Sequence, residues 1–193
     1  MKKRDWKPGT LIYPLPAVMV SCGHELKDYN IITIAWTGTV NSKPPMCYIS
    51  VRKERYSYEI IKQTGDFVIN LTTQDLTKAT DWCGVRSGRD YNKFKEMKLT
   101  PGRSKKVDSP IINESPLNIE CIVKDVIPLG SHDMFLAEVV NVQVSEEFFD
   151  KNDAFRLDEA GLLAYSHGQY YKLGKKLGKF GHSVEKKKKK KDK

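Results

Sequence analysis

The chain has 193 residues, enough for one domain with a sizeable core, and 39% hydrophobic against 30% charged residues. Its net charge is +9, but Glu185–Lys193 alone contributes +5, and the remaining +4 over residues 1–184 does not indicate a nucleic-acid surface. No apolar run reaches the roughly 18–20 residues of a membrane helix, and the short apolar stretch after Met1-Lys-Lys-Arg is broken by Pro14 and Pro16, which argues against an export signal. In chain order, Leu11–Pro16 reads as proline-spaced extended chain and Ala17–Cys22 as a buried strand. Asn30–Val40 is rich in β-branched residues and reads as one strand, with Ile31, Thr33, Ala35, Thr37 and Thr39 on one face and Ile32, Ile34, Trp36 and Val40 on the other. A turn through Pro44-Pro45 leads to a third strand, Met46–Arg52.

Ser57–Thr64 has helical spacing and ends at Gly65, a natural C-cap. Phe67–Leu71 reads as a buried strand, and Thr72-x-x-Asp75 as a capping box opening a helix that Gly84 stops. Asp90 is placed to cap a short helix over Tyr91–Met97. Leu117–Ile127 alternates, with Leu117, Ile119, Cys121, Val123 and Ile127 inward and Asn118, Glu120 and Lys124 outward; a turn at Pro128–His132 pairs it with Met134–Val144. Phe148–Ala160 is an acidic connection, Gly161–Tyr165 a short strand, and Gly168–Phe180 a basic, glycine-punctuated stretch. Around six strands with short helices between them, and no repeated βαβ alternation, predict a mainly β fold, an antiparallel barrel over residues 1–184. The lysine-rich tail 185–193 is expected to be disordered.

Cys22, Cys47, Cys83 and Cys121 are widely spaced in apolar surroundings, and four buried free thiols suit a reducing cytoplasm. The most informative chemistry lies in Asn30–Tyr58. Ser50 and Arg52 share a strand face and Ser57 stands near a helix start, so the three can converge on a phosphate. A solvated basic turn, Arg52-Lys-Glu-Arg55, with an ordinary serine cap explains the same residues. Trp36 among Ala35, Thr37 and Gly38 offers a flat heterocycle one ring and close backbone approach, or is simply a core tryptophan. His132, in Gly130-Ser-His-Asp133, is a possible ligand donor or acid, or a solvated loop histidine; His24, His167 and His182 show no partners, and no metal set or nucleophile–base pair emerges. Neither a P-loop nor a G-x-G-x-x-G dinucleotide motif is present.

Taken in order, Asn30-Ile-Ile-Thr-Ile-Ala-Trp-Thr-Gly-Thr39, Ile49-Ser-Val-Arg52, Arg55-Tyr-Ser-Tyr-Glu59, Cys83-Gly-Val-x-Ser-Gly-Arg-Asp90, Leu117-Asn-Ile-Glu-Cys121 and Gly130-Ser-His-Asp-Met-Phe135 resemble the flavin reductase-like, FMN-binding split-barrel family, flavoredoxin branch. The resemblance runs from about Pro14 to Val184 and implies a homodimeric split barrel with one FMN per subunit near the interface. It implies that Asn30, Ala35, Trp36 and Thr37 meet the isoalloxazine ring, that Ser50, Arg52 and Ser57 hold the phosphate, and that Lys93, His132 and Tyr165 complete the pocket. The flavin would then carry the chemistry, with no catalytic side chain required (His132 being a possible one), NADH or NADPH as a transient co-substrate, and a flavin, ferric complex or redox protein as acceptor. An electron carrier without nicotinamide activity is the alternative inside the family. Outside it, the basic tail suggests a module that binds an acidic partner or nucleic acid.

Overall fold

In a computed structural model, which describes residues 1–184, the connection from Ile34 to Thr37 dictates the architecture. The strands are β1 Leu15–Pro16, β2 Val18–Cys22, β3 Asn30–Ile34, β4 Thr37–Ser42, β5 Pro45–Val51, β6 Asp66–Asn70, β7 Pro101–Gly102, β8 Ile111–Ile112, β9 Leu117–Pro128, β10 Asp133–Val144, β11 Leu163–Ser166 and β12 Gln169–Lys172; the helices are α1 Tyr56–Thr64, α2 Thr77–Val85 and α3 Lys93–Glu96. The main sheet is antiparallel with the order β3-β2-β6-β9-β10-β5-β4. Its two outermost strands, β3 and β4, are separated in sequence by Ala35 and Trp36 alone. Two residues span about 10 Å, whereas seven flat strands are roughly 29 Å across, so the sheet must curl until its ends meet. The Ser50 N–H donates to the Trp36 carbonyl at 2.9 Å and fixes that corner on β5.

The expected single strand Asn30–Val40 is therefore two strands at opposite edges of one sheet, and the face assignment holds only as far as Ile34. On β2 and β3, Val18, Val20, Ile32 and Ile34 point into the barrel with Phe67, Ile49 and Phe135, while Met19 and Ile31 pack outward against α2, α3 and Ile112. Tyr58 and Ile61 of α1 plug one end of the interior. Val40 is the extra residue of a bulge between β4 and β5 and is exposed. All four cysteines are free and buried, and Cys47 Sγ lies 3.5 Å from Cys121 Sγ in the core.

Several local expectations change for definable reasons. Gly65 ends α1 in a left-handed conformation at φ 74°, its N–H bonding to the Ile61 carbonyl. Gly84 does not stop α2, which continues to Val85. A Cβ there would sit 3.1 Å from Thr33 Cβ, so the glycine serves close helix–strand approach. Thr72 does not cap α2, because its hydroxyl donates to the Ala17 carbonyl. α3 is capped by Asn92, which accepts from the Lys95 N–H at 3.0 Å, in place of Asp90. In β9, Lys124 is an extra residue between the partners of Leu136 and Ala137, and beyond it Val126 replaces Ile127 on the core side. A twelfth strand, β12, occupies part of the basic stretch and pairs with β11, whose other edge pairs with β1, in a small second sheet. The lysine tail lies outside the described residues. Among the described residues no helix is long and apolar enough to cross a membrane.

Asn118 and Glu120 do point out of the barrel, yet both are buried, because the segment from Pro101 to Ser115 covers that face. Glu120 accepts from the N–H groups of Lys105 and Lys106 and from the amides of Asn141 and Gln143, at 2.6–3.0 Å. Burial alone would raise this carboxyl, but those four donors hold it below its ordinary value. A lowered folded value means that stability is present above the ordinary carboxylate range and is lost as pH falls through the lowered one. Glu120→Ala is expected to cost roughly 2–4 kcal/mol in urea titrations at pH 7, by stranding several donors. The variant should also lose less stability than the parent on acidification below pH 4.

Candidate functional site

Two adjoining cavities open where β3, β5 and the loop before β10 converge below α2. The first, of about 450 Å³, is walled by Ala35, Trp36, Ser50, His132, Tyr165 and Tyr170. The second, of about 340 Å³, is lined by Asn30, Ser57, Arg86, Ser87, Arg89 and Lys93. Ile32, Arg52, Arg55 and Val85 line both. One cavity is thus largely aromatic and apolar and the other cationic, with two guanidinium groups at the junction.

In the first cavity the barrel's closing corner leaves Trp36 partly exposed, its ring 4.5 Å from that of His132. His132 also contacts Ser131 Oγ through Nδ1 at 2.9 Å. Partial burial and then the nearby Arg52 push its value down, so the imidazole is neutral at pH 7. Tyr165 stands on β11 with its ring 5.6 Å from Tyr170, whose hydroxyl reaches Asp81 of α2 at 3.3 Å. The small second sheet therefore forms one wall and α2 another.

In the second cavity α1 begins at Tyr56 after an extended Arg55, without a side-chain cap. The first backbone bond of the turn is Tyr58 N–H to the Arg55 carbonyl at 2.9 Å, which leaves the N–H groups of Tyr56 and Ser57 ahead of it at the positive end of the helix. Ser57 is buried, and its Oγ accepts from Asn30 Nδ2 at 2.7 Å. Gly88 lies directly against this pair, since a Cβ would fall 2.2 Å from Asn30 Oδ1 and 2.7 Å from the Tyr56 ring. Lys93 is buried, and its ammonium donates to the carbonyls of Ile31 and Cys83, each at 2.7 Å. Burial, reinforced by Arg55, lowers it to about 8. Arg89 lies over the Tyr56 ring and donates to the Glu54 carbonyl; Arg52 pairs with the Glu54 carboxylate at 3.1 Å.

Of the sequence-named residues, Ala35, Trp36, Ser50, Arg52, His132 and Tyr165 meet at the first cavity, while Asn30, Ser57 and Lys93 line the second together with Arg52. Asn30 thus stands with Ser57 on the cationic side and away from Trp36. Thr37 lines neither cavity, because its hydroxyl donates to the Tyr48 carbonyl at 2.6 Å and joins β4 to β5. His24 does have a partner, Asp66, at 3.0 Å, remote from both cavities. Arg55, Arg86, Arg89, Asp81 and Tyr170 were not anticipated. Arg55 was visible as the second arginine of a basic turn, but nothing in the linear order signals that Arg86 and Arg89 reach the same cavity.

The donor set fits a planar ring carrying a phosphoryl arm. Five cations face one carboxylate in the lining of the second cavity, beside an uncapped helix start, and the adjoining space is wide enough for a fused ring.

Comparison with known proteins gives a consistent picture. Residues 10–174 match the family model described as flavin reductase like domain. An uncharacterised protein of Archaeoglobus fulgidus is 32% identical over 139 residues, covering 72% of this chain and 77% of its own. Among solved structures, the flavoredoxin of Desulfovibrio vulgaris (Miyazaki F) superposes with a TM-score of 0.87 at 28% identity, over 95% of this chain and 100% of that one. The flavoredoxin from Methanosarcina acetivorans shares the fold with a TM-score of 0.84 at 24% identity, over 96% and 100%.

Proposed function

This chain belongs to the flavin reductase-like family, in its flavoredoxin branch, with the family's split-barrel fold, and from that membership we propose that it is an FMN-dependent redox protein. The carrying observation is the junction of an aromatic cavity with a cationic one, spanned by Arg52 and Arg55. Arg52, Arg55 and the start of α1 at Ser57 hold the phosphate; Ala35, Trp36 and His132 line the ring. FMN, when bound, supplies hydride acceptance and single-electron release. The chain's own residues bind and orient it, and the cationic surroundings favour its reduced, more negative form. His132, neutral at pH 7, can donate or accept one hydrogen bond at the open face without adding charge.

NADH or NADPH delivers the hydride by transient binding in the first cavity, and a flavin, ferric complex or redox protein accepts the electrons. The likeness to flavoredoxins supports a second reading, a carrier loaded by a protein donor. A second copy of the chain shelters the apolar side chains of Trp6, Leu11, Ile12, Leu177 and Phe180, all of which a single chain leaves in solvent. The test is flavin titration of the purified protein followed by visible absorption and fluorescence. We expect one FMN per chain, held at least roughly tenfold more tightly than riboflavin, the size of one charge-assisted contact. Protein that takes up no flavin sinks the reading. Stopped-flow mixing of loaded protein with NADH or NADPH then separates the two branches: bleaching supports reductase activity, its absence the carrier.

A further inference from the structure

The turn between β5 and α1 is tied to the barrel by a buried carboxylate that lines neither cavity. Asp133, the first residue of β10, faces Val51 across the ladder, one residue before Arg52, and is 4% exposed. One carboxylate oxygen accepts from the Tyr58 hydroxyl of α1 at 2.6 Å. That bond, with burial, pushes the phenol up to about 12, so Tyr58 remains a donor throughout the working pH range. The other oxygen is buried without a hydrogen bond and faces Lys53 Nζ at 3.4 Å, an ion pair without hydrogen-bond geometry. One carboxylate therefore grips both Lys53 and Tyr58, and Arg55 and Ser57 lie between those two anchors.

We infer that Asp133 is a positioning residue for phosphate recognition, holding the 53–58 segment so that Arg55, Ser57 and the first N–H groups of α1 present themselves to one anion; this rests on the FMN reading above. Arg55 is exposed and would otherwise sample many side-chain and turn conformations, an entropic cost that prior anchoring removes. The sign of the effect separates positioning from simple electrostatics. A carboxylate near an anion site repels the anion through space, so neutralising it without disturbing the turn would tighten FMN binding. Loss of positioning weakens it.

Asp133→Asn tests this cleanly. The amide oxygen can still accept from Tyr58, but the charge that holds Lys53 is gone. Lys53→Met removes the other partner at an exposed position. Because it also removes a cation, it serves the double-variant comparison, while the sign is read from Asp133→Asn, whose folding is checked by circular dichroism. Dissociation constants for FMN and for riboflavin, which lacks the phosphate, would be measured by flavin fluorescence for the parent, both single variants and the double. Each single variant is expected to bind FMN roughly tenfold more weakly with riboflavin changed less than about twofold, and the double to be no worse than either. Unchanged or tighter FMN binding in Asp133→Asn overturns the inference, as does an equal loss for both flavins, which marks a merely structural role. Parent protein that does not discriminate FMN from riboflavin overturns the phosphate reading itself, and this inference with it.

Discussion

Replacing Arg52 and Arg55 together by alanine is expected to weaken FMN binding by roughly a hundredfold, because two charge-assisted contacts at about tenfold each are lost. Both side chains are exposed, so neither substitution opens a core cavity, and the thermal midpoint should stay within a few degrees of the parent's. Arg52 pairs with Glu54 at 3.1 Å, and Arg55 reaches the Gly84 carbonyl only at 3.4 Å. Their removal also leaves Glu54 unpaired at the junction, adding repulsion to the lost attraction. Riboflavin affinity should move little. The parent's preference for FMN should fall as salt rises, and the variant's dependence on salt should be flatter. His132 provides an internal reporter: Arg52 is among the causes that push it down, so its titration followed by NMR should shift upward in the variant. FMN affinity within a factor of two of the parent's would place the phosphate elsewhere.

The distribution of what could and could not be read from sequence follows from range of interaction. Alternation in the first half of β9 is set by neighbouring residues, and there Ile119, Cys121 and Val123 face the core as expected, while β2 and β6 are buried along their whole length, as read. Asn30–Val40 has the composition of one strand, and its break at Ala35–Trp36 is imposed by barrel closure, which involves all seven strands. Glu120 alternates as a surface residue does, and only the segment from Pro101 to Ser115, folding over it, converts it into a buried clamp. The same logic governs the site. Ser50 and Arg52 share a strand face by period alone and both line the first cavity, but Ser57 lines only the second, so of the expected trio only Arg52 reaches both. Asn30, by contrast, was separated from Trp36 by the turn of the chain at the barrel's corner. Arg86 and Arg89 join through the loop after α2, whose approach depends on Gly84 and Gly88 admitting close contact with Thr33, Asn30 and Tyr56. Cations collected from separate elements leave no spacing to recognise.

Lys93 carries the strongest pH signature in the cationic cavity. Its value falls from 10.5 to about 8, chiefly through burial, a difference equivalent to about 3 kcal/mol. Below pH 8 the amine is charged in both folded and unfolded chains, and the folded state bears the whole penalty. Between pH 8 and 10.5 the unfolded chain binds the extra proton, so stability contributed by this group rises with pH. Cys22 and Cys83, raised by burial to about 12 and 11, act in the opposite direction above pH 9. A comparison with Lys93→Met therefore isolates the lysine. In chemical denaturation of flavin-free protein, the parent should gain about 3 kcal/mol on the variant between pH 7.5 and 10.5. The variant should be the less stable protein at the high end, because the Ile31 and Cys83 carbonyls lose their donor. A phosphate held in the same cavity favours the ammonium, so FMN binding near pH 9 should take up close to one proton, an uptake by Lys93 that fades as pH falls well below 8. Calorimetry in two buffers of different ionisation enthalpy measures that uptake directly. A binding enthalpy that is independent of buffer at pH 9 would mean that the anion and Lys93 do not share a site, whatever the affinity.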